Sequence, residues 1–436
     1  MMTYKSYKEI DSDRLSRIPS HWNLKRHKDL SLVNRKSLSK DTEPFYQFRY
    51  IDISNVNQQG IENDPELMEF HEAPSRARRI LREKDIIIST VRTYLKAVAF
   101  IDFQPKNYIA STGFAVLSPR HVVRPQFLAF YCQSDSFIDL VVKNSKGVSY
   151  PAINATELSS LTCIYPPLSE QQAIAQYLDA KTNAIDKKVT LLEQKIDYYK
   201  ELRKSLINEA VTKGLDKSVI LKDSGIDWIG QIPEHWGQIR MKDLYQIDKV
   251  QVGENSSDFT LLSLTQKGVI VRDVESNEGK FPAEFNTYQI VKPEDLVFCL
   301  FDLDVTPRTV GIARHKGMIT GAYTIIKNKG NGAINNYFYY LYLMADQSKK
   351  LSFMYTGLRN TIKKDRFLSM VVPFPSEEEQ TKIAEFLDQK TVTIDKIIQN
   401  ITNQIDQLKE LRKTLINNVV TGKIRVYEPA ENKVQA

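Results

Sequence analysis

The chain contains one long stretch twice, and the rest of its organisation follows from that repeat. Residues 166–214 have the sequence PPLSEQQAIAQYLDAKTNAIDKKVTLLEQKIDYYKELRKSLINEAVTKG, and residues 373–423 have the sequence PFPSEEEQTKIAEFLDQKTVTIDKIIQNITNQIDQLKELRKTLINNVVTGK. From Ile174 and Ile383 onward the two copies align without a gap. Internal self-similarity on this scale indicates a chain built from two similar halves.

Both copies carry apolar residues at every seventh position, with more apolar residues four positions after members of that series. This spacing is the a/d heptad pattern, and it predicts two long helices that pair as a coiled coil. The predicted helix-pairing seam consists of Leu178, Ile185, Val189, Leu192, Ile196, Tyr199, Leu206, Leu387, Ile394, Ile398, Ile401, Ile405, Leu408 and Leu415.

Two polar residues interrupt the seam at equivalent places, Thr182 and Arg203 in the first copy and Thr391 and Arg412 in the second. A polar residue at an a position costs stability and fixes the register of the paired helices. Because both interruptions recur in both copies, we expect one defined pairing geometry.

Each predicted helix has a start signal and a stop signal. Ser169 and Ser376 follow proline-rich runs and are the predicted N-caps, with glutamates in the first turn. Gly214 and Gly422 mark the predicted ends. About forty residues, each rising ~1.5 Å, give helices of roughly 60 Å.

The composition is that of a folded domain protein. Hydrophobic residues make up 42% and charged residues 26% of the chain, which are ordinary values. No run of ~18 apolar residues offers a membrane span, and the N-terminus lacks a signal-peptide core, so we expect a cytoplasmic protein with no membrane partner. The three scattered cysteines predict neither disulfides nor a metal site. The net charge of +7 is compatible with a nucleic-acid partner without establishing one.

The motif Ile-Pro-x-His-Trp occurs at residues 18–22 and again at residues 232–236. The His-Trp pair could form a base-stacking or ligand site. We interpret it instead as an anchor, because tryptophan is usually buried and proline stiffens the preceding turn.

Between the repeats, periodicity predicts two globular segments of mixed α/β character within an α+β protein. The predicted domains are a first globular segment (residues 1–165), a first long helix (166–214), a second globular segment (215–372), a second long helix (373–424) and a tail (425–436). Strands are predicted at residues 48–53, 85–90, 97–101, 114–117, 260–264, 295–300, 309–313 and 323–326, and shorter helices at residues 125–133 and 336–344.

The motifs that would support catalysis are incomplete. An adenine methyltransferase needs Asn or Asp before Pro-Pro-aromatic, but Tyr165 precedes the only Pro-Pro pair and Leu168 follows it. The Gly-Lys pairs at residues 279–280 and 422–423 lack the hydroxyl residue that a P-loop places next. The six histidines show no metal-binding spacing. We therefore predict a non-catalytic chain that binds no cofactor.

Four loops combine basic, hydroxyl or amide, and aromatic residues, which are the side chains that contact phosphates and base edges. They lie at residues 90–96, 144–150, 306–309 and 357–364, so each half contributes two before its long helix. The candidate DNA-contacting residues are Arg92, Thr93, Tyr94, Lys96, Ser145, Lys146, Ser149, Tyr150, Arg308, Thr309, Arg359, Asn360, Lys363 and Lys364. Any one of them can equally be an ordinary solvated surface residue.

The duplicated Ile-Pro-x-His-Trp motifs, the Glu-Gln pairs at residues 170–171 and 379–380, and the heptad helices resemble the specificity (S) subunits of type I restriction-modification systems. The resemblance covers nearly the whole chain. It implies two target recognition domains that each recognise one half of a bipartite site in double-stranded DNA. It also implies that the two helices pair antiparallel and hold these domains apart, which gives an internal pseudo-twofold axis.

The same resemblance implies the partners. Methyltransferase (M) subunits would dock along the helices, methylate adenine with S-adenosylmethionine, and recruit restriction (R) subunits that use ATP and Mg²⁺. All three cofactors would bind to partner subunits, and the chain itself would have no activity. The recognition loops vary within such families, so the resemblance assigns no role to individual loop residues.

Two alternatives remain open on the sequence. The chain could be a non-catalytic coiled-coil scaffold that binds proteins, with an incidental basic charge. It could also be a complete methyltransferase, although the incomplete Pro-Pro motif argues against this. Salt-dependent binding to duplex DNA separates the specificity subunit from the scaffold, and cofactor binding by the isolated chain would indicate the methyltransferase.

Overall fold

The structure is a computed structural model that describes residues 2–10, 16–58, 60–62, 64–272, 285–306 and 308–427. The chain separates into two compact units. The first unit comprises Met1–Leu192 with Asn403–Ala436, and the second comprises Glu193–Thr402. Both boundaries fall inside long helices, so each unit contains one globular segment and a part of each helix.

The first half of the chain alternates short strands and short helices and then continues as one long helix. Its strands are β1 (Tyr7–Glu9), β2 (Arg17–Pro19), β3 (Asn23–Arg26), β4 (Ser31–Val33), β5 (Gln47–Ile51), β6 (Val56–Asn57), β7 (Gly60–Ile61), β8 (Glu66–Glu69), β9 (Ala77–Ile80), β10 (Ile86–Ser89), β11 (Val98–Phe100), β12 (Tyr108–Ser111), β13 (Phe114–Pro119) and β14 (Thr162–Tyr165). Its helices are α1 (His27–Leu30), α2 (Pro125–Gln133), α3 (Asp135–Lys143), α4 (Ala155–Ser160) and α5 (Leu168–Lys213), with 3₁₀ turns at Ile53–Asn55 and Thr93–Leu95.

The second half follows the same succession. Its strands are β15 (Leu221–Asp223), β16 (Gln231–Pro233), β17 (Gly237–Arg240), β18 (Tyr245–Ile247), β19 (Leu262–Thr265), β20 (Gly268–Val271), β21 (Gln289–Val291), β22 (Leu296–Phe298), β23 (Val310–Ile312), β24 (Gly317–Ile319), β25 (Thr324–Asn328) and β26 (Val371–Phe374). Its helices are α6 (Met241–Leu244), α7 (Asn335–Gln347), α8 (Lys364–Leu368) and α9 (Glu377–Val420), with 3₁₀ turns at Gly253–Asp258 and Ser352–Met354.

The strands and short helices predicted from the sequence are present, with ends that shift by a few residues. The predicted helix at residues 125–133 coincides with α2. Short strands such as β8 were not predicted, because its four residues show no alternation of apolar and polar residues by which it could be recognised.

A four-stranded antiparallel sheet forms the centre of the first globular segment, in the order β11-β10-β13-β4. Successive residues of a strand point to opposite faces of the sheet. Ile86 and Ile88 accordingly belong to one hydrophobic cluster and Ile87 to another. Both faces of β10 are therefore buried, which explains its continuous apolar sequence. A second sheet has the order β8-β5-β12-β9, in which β5 and β12 are parallel.

The second globular segment contains a four-stranded antiparallel sheet in the corresponding order, β23-β22-β25-β18. Leu296 and Phe298 join one cluster and Val297 the other, as in the first segment. The remaining strands of the described residues are arranged differently from those of the first segment, because β19 with β20 and β21 with β24 form two separate two-stranded sheets. The central sheet is the shared framework, and the structure around it is specific to each segment.

The two ends of each globular segment meet in a strand pair. β3 follows the first His-Trp motif and pairs antiparallel with β14, which leads into α5. β17 and β26 form the equivalent pair before α9. Each globular segment therefore leaves and rejoins the rest of the chain at the start of a long helix.

The two long helices begin differently. Ser376 is the N-cap residue of α9, and its hydroxyl accepts from the Glu379 backbone N–H over 3.3 Å. The prediction for Ser169 is wrong, because the Gln171 N–H donates to the Pro167 carbonyl and α5 already begins at Leu168. Among the helices of the described residues, none is long and apolar enough to cross a membrane.

Candidate nucleic-acid interface

The first His-Trp motif is fixed to the start of α5. Trp22 is fully buried, and its indole Nε1–H donates to Glu170 Oε2 over 2.9 Å. His21 Nε2 lies 2.5 Å from Glu170 Oε1, and the Tyr4 hydroxyl donates to Oε2 over 3.1 Å. A carboxylate that is only 5% exposed requires such partners. This motif is an anchor, as the sequence predicted.

The second His-Trp motif repeats the arrangement in the second unit. Trp236 is 2% exposed, and its Nε1–H donates to Glu379 Oε1 over 3.1 Å, while His235 Nε2 lies 2.8 Å from the same oxygen. Burial raises the pKa of Glu379, but hydrogen bonds from His235, Trp236 and Ser376 outweigh it and hold the pKa below its usual value. The glutamate of each Glu-Gln pair therefore anchors the histidine and tryptophan of a His-Trp motif that lies much earlier in the sequence.

The glutamine of each Glu-Gln pair holds the start of a neighbouring helix. Gln171 is fully buried and accepts from the Arg124 backbone N–H, at the N-cap of α2, over 2.9 Å. Gln380 accepts from the Ile334 N–H, at the N-cap of α7, over the same distance. Neither contact was predicted, because a glutamine on a helix gives no sequence signal for a partner that lies elsewhere in the chain.

Two of the predicted loops form one surface in the first unit. We call residues 90–97 the first strand-end loop, since they follow β10, and residues 146–152 the first hairpin. Lys146 and Ala152 exchange two backbone hydrogen bonds of 2.8 and 2.9 Å, which closes this hairpin. The Ile153 N–H then donates to the Thr90 carbonyl over 2.9 Å. The structure therefore brings together two loops that are separated by three strands and two helices in the chain.

Side chains connect the same two elements. The Arg92 guanidinium carbon lies 5.1 Å from the centre of the Tyr150 ring, which is a cation–π contact. Below it, the Thr93 hydroxyl lies 2.9 Å from the Ser145 hydroxyl. Thr93 is only 3% exposed, so Thr93 and Ser145 support this surface from beneath, whereas Arg92 and Tyr150 are exposed on it.

The other candidate residues of the first unit have mixed surroundings. Tyr94 and Ser149 are exposed. Lys96 is half-buried and lies 3.8 Å from Asp135, and Lys146 is exposed and pairs with Glu157 over 2.8 Å. Both lysines therefore have a carboxylate partner, whereas Tyr94 and Ser149 are exposed to solvent.

A corresponding surface is present in the second unit. We call residues 299–309 the second strand-end loop, since they follow β22, and residues 356–361 the second hairpin. Thr356 and Thr361 close this hairpin through two backbone hydrogen bonds of 2.9 and 3.0 Å. The Ile362 N–H donates to the Leu300 carbonyl over 2.9 Å, the counterpart of the bond from Ile153. The two surfaces therefore share the hydrogen bonds that close the hairpin and join it to the strand-end loop, although the first hairpin is one residue longer than the second.

The arginine of the second hairpin has two partners on the second strand-end loop. Arg359 Nε donates to Asp302 Oδ1 over 3.0 Å, and a second ion-pair contact joins Arg359 Nη2 to Asp302 Oδ2. The same guanidinium carbon lies 5.1 Å from the centre of the Phe301 ring. The hydrogen bonds to Asp302 raise the pKa of Arg359 and lower the pKa of Asp302.

The remaining candidates of the second unit divide by depth. Arg308 is half-buried and donates to the Tyr339 hydroxyl over 3.3 Å, and Thr309 is 8% exposed, with its backbone N–H donating to Asp346. Asn360 is half-buried in the turn of the second hairpin, and Lys363 and Lys364 are exposed where α8 begins.

The repeated arginines of the long helices form equivalent ion pairs. In the first unit Arg412 Nε lies 2.9 Å from Asp186 Oδ1. In the second unit Arg203 Nε lies 3.4 Å from Asp395 Oδ1. The four residues occupy matching positions of the two sequence copies, so each arginine pairs with the aspartate of the other helix.

The residues predicted for the seam are buried or half-buried within their units. Leu178 and Leu387 are fully buried, whereas several large apolar residues of the long helices outside the predicted seam are exposed, including Leu191 by 56%, Tyr198 by 64%, Val392 by 52% and Leu411 by 51%. In the part of the chain that the structure describes, no group of three or more His, Cys, Asp or Glu side chains could hold a metal ion.

The sequence matches the family model of the type I restriction modification DNA specificity domain over residues 19–196 and 309–407. A putative specificity subunit of the type I restriction enzyme MjaX from Methanocaldococcus jannaschii is 24% identical over 96% of this chain and 98% of its own length. The EcoBI specificity subunit of Escherichia coli is 22% identical over 70% of this chain and 67% of its own length.

A solved structure has the same fold. It comes from work on the structural basis of complex assembly and conformational transition of the type I R-M system. The likeness covers 93% of this chain and 99% of that chain, with a TM-score of 0.71 and 20% identity. Together with the matched family model, this agreement covers both globular segments and both long helices. The chain belongs to the type I restriction-modification specificity subunits, the non-catalytic, DNA-recognising components of those systems.

Proposed function

We propose that each globular segment is a target recognition domain that binds one half of a bipartite site in duplex DNA. The observation that carries this proposal is the pair of surfaces formed by a strand-end loop and a hairpin. They share the backbone hydrogen bonds that join the loop to the hairpin, and they differ in nearly every exposed side chain. Two recognition sites for different half-sites require this combination, because the framework positions the surface and the side chains select the bases.

Among the candidate residues, the exposed ones are the proposed DNA contacts: Arg92, Tyr94, Lys146, Ser149, Tyr150, Arg359, Lys363 and Lys364. Thr93, Ser145, Arg308, Thr309, Lys96 and Asn360 lie deeper and position them. Arginine and lysine bind guanine edges and phosphates, and aromatic and hydroxyl groups complete such surfaces.

We propose further that the two long helices pair antiparallel and set the distance between half-sites. In the first unit, the N-cap residue of α2 donates to Gln171, near the start of α5, while Ser136 at the start of α3 donates to Asn417, near the end of α9. In the second unit, α7 contacts Gln380 near the start of α9 and, through the Tyr337 hydroxyl, Val211 near the end of α5. A helix start beside a helix end in each unit supports the antiparallel arrangement, and the buried predicted seam supports the coiled coil.

The partners follow from the family. We propose that M subunits dock on the long helices, methylate adenine with S-adenosylmethionine, and recruit R subunits that use ATP and Mg²⁺.

Binding of the M–S complex to duplexes tests this function. The duplexes carry the host's modified motif, with one half-site scrambled at a time. We expect each scrambled half to cost affinity, and we expect the logarithm of affinity to fall steeply with the logarithm of salt concentration. Indifference to both half-sites, with a flat salt dependence, would instead indicate a protein-binding scaffold.

A further inference from the structure

The turn of each hairpin projects one aliphatic side chain entirely into solvent. Val148 in the first hairpin is 100% exposed, and Leu358 in the second is 106% exposed. Each follows a glycine in the left-handed region, Gly147 with φ of +102° and Gly357 with φ of +70°. Glycine is favoured at such a φ because it has no Cβ. Both hairpins therefore place an aliphatic residue directly after a left-handed glycine, although the first hairpin is one residue longer than the second.

These residues are held in position. The residues whose backbone hydrogen bonds close each hairpin lie two to four residues from Val148 or Leu358. The cation–π pairs, Arg92 with Tyr150 and Arg359 with Phe301, fasten each hairpin to its strand-end loop. A constrained turn keeps its aliphatic residue exposed, although burying such a side chain is worth about 1.5–3 kcal/mol. Its recurrence in both globular segments indicates that a partner covers it.

The surroundings of the turns favour DNA as that partner. Arg92 lies over the Tyr150 ring of the first hairpin, and Arg359, Lys363 and Lys364 follow Leu358 within six residues. Cations beside a single aliphatic residue on a narrow turn suit a polyanion with a groove. The major groove is about 12 Å wide and admits a two-stranded β-ribbon. It also presents one apolar group on the base edges, the 5-methyl group of thymine.

We propose that Val148 and Leu358 each enter the major groove and contact the 5-methyl group of a thymine in the half-site bound by their own globular segment. The proposal rests on the proposed function and adds a specificity-determining residue to each half-site. Valine and leucine differ in length, so equivalent turns reach thymines at different depths or positions. The flanking arginines and lysines then bind phosphates or guanines beside that thymine.

Deoxyuridine substitution provides the probe, because deoxyuridine pairs like thymidine but lacks the methyl group. Duplexes carrying the mapped motif receive deoxyuridine at one thymine position at a time, and the affinity of the M–S complex is measured for each. We expect one position in each half-site to lose affinity by about 3- to 10-fold, as for the loss of one or two buried methyl groups. Val148→Ala should lose a similar amount on thymine DNA and nothing further at its deoxyuridine position.

The chain supplies its own controls. Val148→Ala should abolish the deoxyuridine effect in the first half-site alone, and Leu358→Ala in the second alone. Val122→Ala removes a valine that is 42% exposed in the same globular segment but outside the first hairpin, and it should change neither effect. All three substitutions affect exposed side chains, so thermal unfolding should stay unchanged and confirm that the variants fold.

The outcomes separate the two proposals. If the complex discriminates intact from scrambled half-sites but is indifferent to deoxyuridine at every thymine, the methyl contact is overturned and the proposed function stands. The same holds if the two alanine variants lose equal affinity on all duplexes. A complex without any discrimination between half-sites would overturn both.

Discussion

Both globular segments have a cation–π contact between the strand-end loop and the hairpin, but the arginine and the aromatic ring lie on opposite elements in the two segments. In the first, the arginine lies on the strand-end loop and the aromatic ring on the hairpin, as Arg92 and Tyr150. In the second, the hairpin supplies Arg359 and the strand-end loop supplies Phe301. The backbone bonds that bring the two elements together are conserved between the segments. The framework therefore fixes where loop and hairpin meet, and the side chains at the meeting point are free to exchange.

A second difference concerns how available the arginines are. Arg359 is held by Asp302, whereas Arg92 has no carboxylate partner among the described residues. An arginine already paired must exchange that partner before it binds a base or a phosphate. We therefore expect Arg92 and Arg359 to contribute unequally to DNA affinity. Each of the substitutions below tests whether the two segments behave alike.

The largest expected effect comes from the anchors that both segments share. Trp22→Ala and Trp236→Ala each remove a buried indole and a donor to a glutamate, and each should lower the free energy of unfolding by about 3–5 kcal/mol. Denaturant unfolding of the full chain measures this. If one of the two substitutions lowers the free energy of unfolding by less than ~1 kcal/mol, the two anchors do not contribute equally to stability.

Next come the arginines of the two hairpin surfaces. Arg92→Ala should weaken binding to the intact motif by about 1–3 kcal/mol if the guanidinium binds a base edge. Arg359→Ala should cost less, because its ion pair with Asp302 must first be broken. Titration of the M–S complex with intact and half-scrambled duplexes measures both. A larger loss of affinity for Arg359→Ala than for Arg92→Ala would contradict the expectation that Asp302 restrains Arg359. If a substitution weakens binding equally on every DNA sequence, the arginine contacts phosphate and not a base.

A buried histidine distinguishes the stability of the two segments in acid. His27 packs between Tyr131 and Phe137 with no hydrogen-bond partner on either ring nitrogen among the described residues. Burial lowers its pKa from 6.5 to about 3. The unfolded chain therefore binds a proton between these pH values and the folded chain does not, so stability falls as the pH drops below 6.5. The equivalent residue of the second segment is Met241.

In the wild-type chain, His27 lowers the free energy of unfolding by about 1.4 kcal/mol at pH 5.5, one unit below the unfolded pKa. We expect His27→Met to remove this loss and to change the slope of the free energy of unfolding against pH between pH 6.5 and 3. Unfolding measured across this pH range tests the expectation. Met241→His is the matched variant, because it should introduce an acid-dependent loss of the same sign into the second segment. An unchanged pH slope in both variants would contradict the burial of an uncharged histidine.

The smallest expected effect is a gain. Asp302→Asn releases Arg359 and removes a negative charge, so DNA affinity should rise by less than ~1 kcal/mol, most clearly at low salt. Asp304→Asn is the control, since it removes the same charge from the same loop at an exposed position outside the ion pair. Equal gains for both variants would show that charge alone matters and that Arg359 is not restrained.

Sequence periodicity was sufficient for the elements whose contacts are local or repeated. The heptad pattern located both long helices, and continuous apolar runs located β10 and β22, because both faces of these strands are buried. It could not show that Thr93 lies beneath the first surface or that Asp302 holds Arg359, since both depend on partners more than fifty residues away. The Glu-Gln pairs were visible as motifs, but their hydrogen bonds to distant segments were not.

One chimera tests most directly that each globular segment recognises its own half-site. The strand pairs β3–β14 and β17–β26 close each segment at the start of a long helix, so residues 237–372 can be replaced by a second copy of residues 23–165. Expressed with the M subunit, this chimera should direct methylation to a palindrome built from the first half-site, because symmetric proteins bind symmetric sites. Sequencing of modified adenines gives the result. A folded chimera that still modifies the original asymmetric motif would contradict the account.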